Sequence, residues 1–298
     1  MQKFLQYCTL ELGLSNNTLA AYRVDLHGFC EFLNQNSLIY PEDISNSAIE
    51  DFCVSLQKKS IAGRSIQRKI SAINSFVKFL CEEEIIPVNP ITDIQKPKIL
   101  QKLPHFLTKE EINKLISCSQ EQNSDEGARN TCIILLLFAS GMRISELVNL
   151  PISAITYSNS QIQPIIRVIG KGNKERIVPI STLAIEILGK YLEIRHKWII
   201  SGKNEKWLFP SRKGGNISRV FVGLMLKNLA RMANIPEEKV HPHAFRHSIA
   251  LQLVNGGMDI RLVQEILGHS DISTTAIYTQ VNPQEMINLV EKFHPMAH

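Results

Sequence analysis

The sequence predicts a mainly α-helical chain with a small antiparallel β-sheet, an α+β fold in two domains. Apolar residues recur every three or four positions through residues 66–80, which is the period of an amphipathic helix. Two runs rich in β-branched residues, 162–169 and 174–179, flank the turn Gly-Lys-Gly-Asn, which is typical of a β-hairpin. A basic, proline-containing segment at 96–104 lacks periodicity and indicates a linker between the domains.

Length and composition indicate two domains with cores of their own. The chain has 298 residues, of which 44% are hydrophobic. Its longest apolar run, residues 132–139, is far shorter than the roughly 18 residues of a membrane span, so it predicts a buried core helix. Glu11 interrupts any apolar stretch at the N-terminus, so no signal peptide is expected. We therefore expect a soluble, cytoplasmic protein that does not associate with a membrane.

The cysteine spacing excludes one class of site. No cysteine lies closer than 14 residues to the next, so the Cys-x-x-Cys pattern of metal and redox sites is missing. We expect all six to be small buried hydrophobic residues in a reducing compartment. They are Cys8, Cys30, Cys53, Cys81, Cys118 and Cys132.

The first domain, residues 1–95, is predicted to be helical. The run Ser-Asn-Asn-Thr at 15–18 offers a capped start for a helix before Leu19, and residues 41–45 open the next helical stretch. The helix through 66–80 ends before the prolines at 87 and 90. The linker is assigned to residues 96–106.

The second domain, residues 107–298, is predicted to be helical around the hairpin. Thr108 and Glu111 form a capping-box pattern, and an apolar helix at 128–139 ends at Gly141. Further helices are expected at 181–199, 218–234, 242–254, 259–267, 274–279 and 283–293.

The net charge of +5 is concentrated in two regions. Residues 52–81 contain basic side chains and no carboxylate, and residues 167–246 carry 16 basic against 6 acidic side chains. A single charged run is more often a solvated face. Two such regions favour a polyanion that touches both, so residues 52–81 predict a DNA-binding face. The side chains that we assign to DNA contact are Lys58, Lys59, Arg64, Arg68, Lys69, Lys174 and Arg176.

Two arginines are candidates for holding a phosphate. Arg143 follows Gly141 after the apolar helix and could turn into a cleft, although by itself it is more often a loop arginine paired with Glu146. His243 and Arg246 are three residues apart at a helix start, where an anion is favoured. A His-x-x-Arg pair alone is common by chance. Together, two guanidinium groups could neutralise a pentacoordinate phosphorane.

Lys171, His269 and Tyr278 complete the candidate set. Lys171 lies between two glycines at the hairpin tip and could protonate a leaving 5′ oxygen, or could be an exposed turn residue. His269 follows a helix-ending glycine and could donate to a phosphate oxygen, or could simply cap the helix. A free phenol has a pKa of about 10, so ionising Tyr278 at pH 7 costs about 4 kcal/mol. Neighbouring arginines and an imidazole base can supply stabilisation of that size, so Tyr278 makes sense as a nucleophile only with the rest of the set.

The sequence lacks the patterns of ATP-dependent and metal-dependent chemistry. It has no Gly-x-x-x-x-Gly-Lys-Ser/Thr loop and no carboxylate cluster with metal-ligand spacing. We expect neither a cofactor nor a metal, because a phosphotyrosyl bond would keep the energy of the broken diester.

The order Arg143, Lys171, His243-x-x-Arg246, His269, Tyr278 resembles the tyrosine site-specific recombinases. The runs Val-Ile-Gly-Lys-Gly-Asn-Lys-Glu-Arg at 168–176 and Leu-Gly-His-Ser-Asp-Ile-Ser-Thr-Thr at 267–275 look like those of the bacterial Xer recombinases, and Ser270 and Asp271 favour the XerD-like branch. The resemblance extends over nearly the whole chain. Departures at Leu251, Gln252 and Met296 concern DNA contacts and tail packing rather than the six positions.

The resemblance implies a helical, SAM-like core-binding domain and a tyrosine-recombinase catalytic domain that clamp duplex DNA. Tyr278 would form a 3′-phosphotyrosyl link while Arg143 and Arg246 hold the phosphate. His243 would act as base, His269 would bond a phosphate oxygen, and Lys171 would act as general acid. A Holliday junction would follow.

The resemblance also implies partners. A XerC-like recombinase would complete a heterotetramer on a dif-like site, where chromosome dimers are resolved. An FtsK-type DNA translocase, associated with cell division, would activate the complex.

Two other functions are compatible with parts of this pattern. A type IB topoisomerase-like nicking and closing enzyme uses similar groups, but the two-domain layout and a C-terminal helix at 283–293 that could dock into a neighbour favour recombination. A non-catalytic architectural protein would bind DNA, but it would have no use for a nucleophile.

Overall fold

The computed structural model describes residues 1–12, 14–91, 106–170 and 175–268. The chain divides into two compact units, Met1–Lys102 and Leu103–His298, and each has a hydrophobic core of its own. Apart from Phe106, the predicted linker at 96–106 lies outside the described residues.

The N-terminal unit is helical. Its helices among the described residues are α1 (Gln2–Leu10), α2 (Asn16–Gln35), α3 (Asn46–Lys58) and α4 (Gly63–Glu82). The capped start predicted within 15–18 is confirmed, with Ser15 as the cap. Its side chain accepts a hydrogen bond from the backbone N–H of Thr18 at 3.3 Å. The predicted apolar stripe of α4 is buried, and Ile66, Ile70 and Ile73 belong to the core of this unit.

A buried carboxylate lies between α2 and α4. Asp25 is inaccessible to solvent, and its two oxygens accept hydrogen bonds from Arg68 at 2.5 Å and Lys69 at 3.0 Å. A buried carboxylate needs such partners to offset the loss of its hydration. Two of the cations that we assigned to DNA contact are therefore already bound to an acidic group of their own unit.

The C-terminal unit is mainly helical. Its helices among the described residues are α5 (Lys109–Gln120), α6 (Asp125–Ser140), α7 (Ile144–Val148), α8 (Thr182–Ile194), α9 (Arg219–Met232), α10 (Pro242–Asn255) and α11 (Ile260–Leu267). The predicted capping box of α5 is confirmed. The Glu111 N–H donates to Thr108 Oγ1 at 3.2 Å, and the Thr108 N–H donates to Glu111 Oε2 at 2.9 Å.

Helix α6 forms the centre of this unit. All of residues 129–140 are buried, and α5, α8 and α10 pack around the helix. A helix that is enclosed on every side can be apolar around its whole circumference, which explains the run at 132–139. Within the described ranges, no helix combines the length and the apolar character that crossing a membrane requires.

A three-stranded antiparallel sheet accompanies the helices. Its order is β1 (Ile155–Ser158), β2 (Gln161–Ile169) and β3 (Glu175–Pro179). The hairpin of β2 and β3 was predicted, and its register pairs Ile169 with Glu175. Strand β1 was not predicted, because four residues are too few to show a period. The hairpin tip at 171–174 lies outside the described residues.

One predicted helix is shorter than expected. The helix expected at 181–199 ends at Ile194 and continues as a 3₁₀ turn over Arg195–Trp198. In this turn the Arg195 side chain donates to the carbonyl oxygens of Trp207 and Leu208, both at 3.1 Å. The helices expected at 274–279 and 283–293 lie outside the described residues.

The prediction for the cysteines is half right. All six are free thiols. Cys8, Cys53 and Cys132 are buried, but Cys30, Cys81 and Cys118 are only partly buried. Spacing along the chain does not show which of the six lie deepest in the core.

Gly141 brings the end of α6 against the end of α11. It adopts a left-handed conformation with φ +57°, as a helix-ending glycine commonly does. A Cβ atom at this position would lie 2.3 Å from Leu267 Cδ2 and 3.1 Å from Ile249 Cγ2. The position therefore requires glycine for two reasons, backbone conformation and close packing.

We expect Gly141→Ala to destabilise the protein by more than the strain of a left-handed alanine. That strain costs about 1–2 kcal/mol, and overpacking against Leu267 adds about 1–3 kcal/mol. Gly202→Ala is the matched control, because Gly202 has φ +71° but a Cβ atom there would meet nothing within 4 Å. Urea denaturation of both variants measures the difference. Equal losses of unfolding free energy would show that Leu267 moves aside freely.

Candidate active site

Arg143 lies at the start of α7, directly beyond the turn at Gly141. Its backbone N–H donates to Glu146 Oε2 at 2.7 Å, and its Nη1 donates to Glu146 Oε1 at 3.1 Å. Arg143 is therefore paired with Glu146, which was one of the two interpretations of the sequence. The same guanidinium also reaches across the fold, since Nη2 donates to the carbonyl oxygen of Gly268 at 3.0 Å.

Arg246 lies in the second turn of α10. His241 caps this helix by accepting a hydrogen bond from the Ala244 N–H at 3.2 Å, so the chain enters the helix just before His243 and Arg246. The Arg246 side chain is buried. Its Nη1 donates to the carbonyl oxygen of Gly141 at 2.8 Å, and its Nη2 donates to that of Leu267 at 2.6 Å.

The two arginines meet at the C-terminal end of α11. They bind the carbonyl oxygens of Leu267 and Gly268, which are consecutive residues. These carbonyls carry the negative end of the helix dipole and lack donors within the helix. Both guanidinium groups are therefore fixed beside the residue that precedes His269. Each has five N–H donors, and these side-chain bonds engage only some of them.

Glu146 is the buried carboxylate of this site. Arg176, on β3, donates from Nη1 to Oε1 and from Nη2 to Oε2, each at 2.8 Å, and Arg143 is the second cation bound to it. Burial alone would raise the pKa of Glu146, but the hydrogen bonds from Arg176 and Arg143 bring it below its usual value. Glu146 is thus an anion that organises two cations.

Among the residues that the structure describes, the site carries an excess of positive charge. Three guanidinium groups, those of Arg143, Arg176 and Arg246, surround one carboxylate. Burial, followed by the charges of Arg143 and Arg176, lowers the pKa of Arg246 to about 10. Arg246 remains protonated at neutral pH, but its positive charge is under-compensated. An anion placed here would be stabilised.

His243 is exposed one turn before Arg246. Partial loss of hydration lowers the pKa of its imidazole, and electrostatic interactions with His247, Arg246 and Arg143 lower it further. The ring is therefore neutral near pH 7, which is the form that can accept a proton.

The structure brings together three of the six predicted catalytic residues, Arg143, His243 and Arg246. Lys171, His269 and Tyr278 lie outside the described residues, as does Lys174. In the described part of the chain, no three His, Cys, Asp or Glu side chains are close enough to one another to hold a metal ion.

The sequence interpretation missed the importance of Glu146. Its spacing from Arg143 was noted, but only as an ordinary ion pair, and no local pattern connects it to Arg176, which is 30 residues away. In the N-terminal unit, Lys58, Lys59 and Arg64 are exposed at the end of α3 and the start of α4. They remain candidates for DNA contact.

Comparison with known proteins agrees with this architecture. The model of the phage integrase family matches residues 105–285, and that of the phage integrase N-terminal SAM-like domain matches residues 1–84. A crystal structure of the XerH site-specific recombinase bound to difH substrate shares the fold, with a TM-score of 0.69 at 24% identity. The match covers 96% of this chain and 83% of that one.

Curated relatives resemble the chain over its whole length. The tyrosine recombinase XerD of Rickettsia bellii is 39% identical over 302 residues, which cover 100% of this chain and 98% of the relative. The XerD of Halalkalibacterium halodurans is 37% identical, with the same coverage of 100% and 98%. The chain therefore belongs to the phage integrase family and, within it, to the XerD-type tyrosine recombinases.

Proposed function

We propose that this recombinase cuts DNA with Tyr278 as the nucleophile and with Arg143 and Arg246 as the phosphate clamp. The phenol oxygen of Tyr278 attacks the scissile phosphorus, and the bond from phosphorus to the 5′ oxygen breaks. His243 accepts the phenol proton and Lys171 supplies a proton to the 5′ oxygen. His269 donates a hydrogen bond to a non-bridging oxygen. A 3′-phosphotyrosyl link results, and the 5′ hydroxyl of a partner strand reverses the step.

The observation that carries this proposal is the meeting of Arg143 and Arg246 at Leu267 and Gly268. The diester carries one negative charge, and the phosphorane carries one more. Two guanidinium groups that are already oriented stabilise that added charge without reorganising during the reaction. Because the pKa of Arg246 is lowered to about 10 by its burial and its cationic neighbours, a bound phosphate would relieve an existing repulsion.

The state of His243 also supports the proposal. A base must be unprotonated when the substrate binds, and the lowered pKa of His243 favours that form at neutral pH. Its place on α10, one turn from Arg246, holds the base and one of the two clamp arginines on the same helix.

We propose a dif-like site in duplex DNA as the substrate and the resolution of chromosome dimers in the cytoplasm as the role. The relatives are named XerD, and XerH is described as bound to difH substrate before cleavage and to a palindromic difH substrate after it. We further propose a XerC-like recombinase as the partner in a heterotetramer and an FtsK-type translocase as its activator. Lys58, Lys59 and Arg64 would contact DNA phosphates, with Lys174 near the hairpin tip.

We expect Tyr278→Phe to bind DNA as the wild type does and to form no covalent complex, because phenylalanine lacks only the attacking oxygen. The protein is incubated with a XerC-like partner on a nicked suicide duplex that carries the site, and the adduct is detected by its shift in a denaturing gel. Strand exchange between two differently labelled sites distinguishes recombination from topoisomerase-like nicking and closing. Binding by the wild type without any adduct would favour an architectural role.

Cleavage should be insensitive to pH between about 8 and 7 and should slow only below about 6.5, because protonation of His243 removes the base. This fall in rate at acidic pH, the acidic limb, is measured as the single-turnover cleavage rate against pH at saturating protein. His243→Gln should be slower by about 10²–10⁴-fold and should lose the acidic limb. An inflection above pH 7 in the wild type would contradict a lowered pKa for His243.

Replacing Lys58, Lys59 and Arg64 together with alanine should weaken DNA binding and reduce its salt dependence. Each lost phosphate contact lowers the slope of log affinity against log salt by about 0.9. Lys190→Ala is the control, since it removes an exposed cation that is paired with Glu186 on α8. An unchanged slope in the triple variant would exclude this surface as a DNA contact.

A further inference from the structure

Arg176 points into the C-terminal unit rather than towards solvent. Its side chain is only 17% exposed, and both of its terminal nitrogens donate to Glu146 at 2.8 Å. A guanidinium that binds a carboxylate with two parallel hydrogen bonds is held in one orientation. Arg176 is therefore poorly placed to neutralise a DNA phosphate, although its position in a basic region of the sequence suggested that role.

The same side chain packs against Gly268. A Cβ atom on Gly268 would lie 3.0 Å from Arg176 Nε and 3.1 Å from both Cδ and Cζ, so the guanidinium lies directly beside the Gly268 backbone. Gly268 has φ +68° and ends α11, and its carbonyl oxygen accepts the hydrogen bond from Arg143. Arg176 therefore contacts both of the groups that bind the Arg143 guanidinium, the Glu146 carboxylate and Gly268.

These contacts form a closed set. Arg176 binds Glu146, Glu146 binds Arg143, Arg143 binds Gly268, and Gly268 lies against Arg176. Arg176 shares the Glu146 carboxylate with Arg143. Without Arg176, the whole carboxylate charge would act on Arg143, and the support beside Gly268 would be lost.

We propose that Arg176 is a positioning residue for DNA cleavage. It touches no reacting atom. It orients the Glu146 carboxylate, so that Arg143 keeps donors for the scissile phosphate, and it supports the end of α11, immediately before His269. The inference rests on the proposed function, because it assumes that Arg143 holds that phosphate.

The test separates positioning from DNA contact. DNA affinity, its salt dependence and the single-turnover rate of covalent complex formation are measured for the wild type, Arg176→Gln and Arg176→Lys on the same nicked duplex. Arg231→Gln is the matched control, because it breaks an Arg–Glu pair of 2.6 Å that lies on the surface of the same unit. Thermal unfolding of each variant reports on folding.

Arg176→Gln should cleave about tenfold to a hundredfold more slowly at saturating protein, because a misplaced clamp loses that much rate. Its DNA affinity and salt slope should match those of the wild type. Arg176→Lys keeps the charge but loses the bidentate hydrogen bonding to Glu146. Its cleavage rate should therefore lie between those of Arg176→Gln and the wild type. Arg231→Gln should cleave at the wild-type rate.

Three results would overturn the proposal. Weaker binding by Arg176→Gln with a salt slope lower by about one unit would make Arg176 a phosphate contact. A wild-type cleavage rate in Arg176→Gln would remove any positioning role. If Arg176→Gln does not fold, a wild-type rate in Arg176→Lys would show that charge alone suffices. Absence of the covalent complex in the wild type would instead refute the proposed function.

Discussion

The geometry of the candidate site depends on how the C-terminal end of α11 is held. Arg246 binds the Leu267 carbonyl and Arg143 binds the Gly268 carbonyl. Because these carbonyls have no donors within the helix, the two guanidinium groups satisfy backbone acceptors and are themselves immobilised. Helix α7 is far in sequence from α10 and α11, and these hydrogen bonds join all three helices at one point. Gly141 packs closely against Leu267 there.

Gathering cations at one place has an energetic cost, and Glu146 offsets only part of it. The carboxylate is buried, and the guanidinium groups of Arg176 and Arg143 keep its pKa below its usual value. Within the described ranges, the hydrogen bonds of Arg246 go to two carbonyl oxygens and none goes to a carboxylate. The remaining positive charge favours an anion, and it favours an anion that gains charge during the reaction still more.

Basic side chains serve two physical purposes in this protein. Arg68 and Lys69 offset the burial of Asp25, and Arg176 does the same for Glu146. Lys58 and Lys59 are exposed and available to a polyanion. A count of charges along the chain treats all of them alike, so it does not show which basic side chains are already paired with an acidic group of the protein.

The sequence by itself determined the helix starts at Ser15 and Thr108, the helix end at Gly141, the hairpin of β2 and β3, and the family, because caps, periods and motifs are local patterns. Only the tertiary structure decided that Arg143 and Arg246 converge on α11 and that Arg176 faces inward to Glu146. Strand β1 also depends on its pairing with β2. The physical reason is that a buried carboxylate or an unpaired carbonyl binds whichever donor the fold brings near, however far apart the two are in sequence.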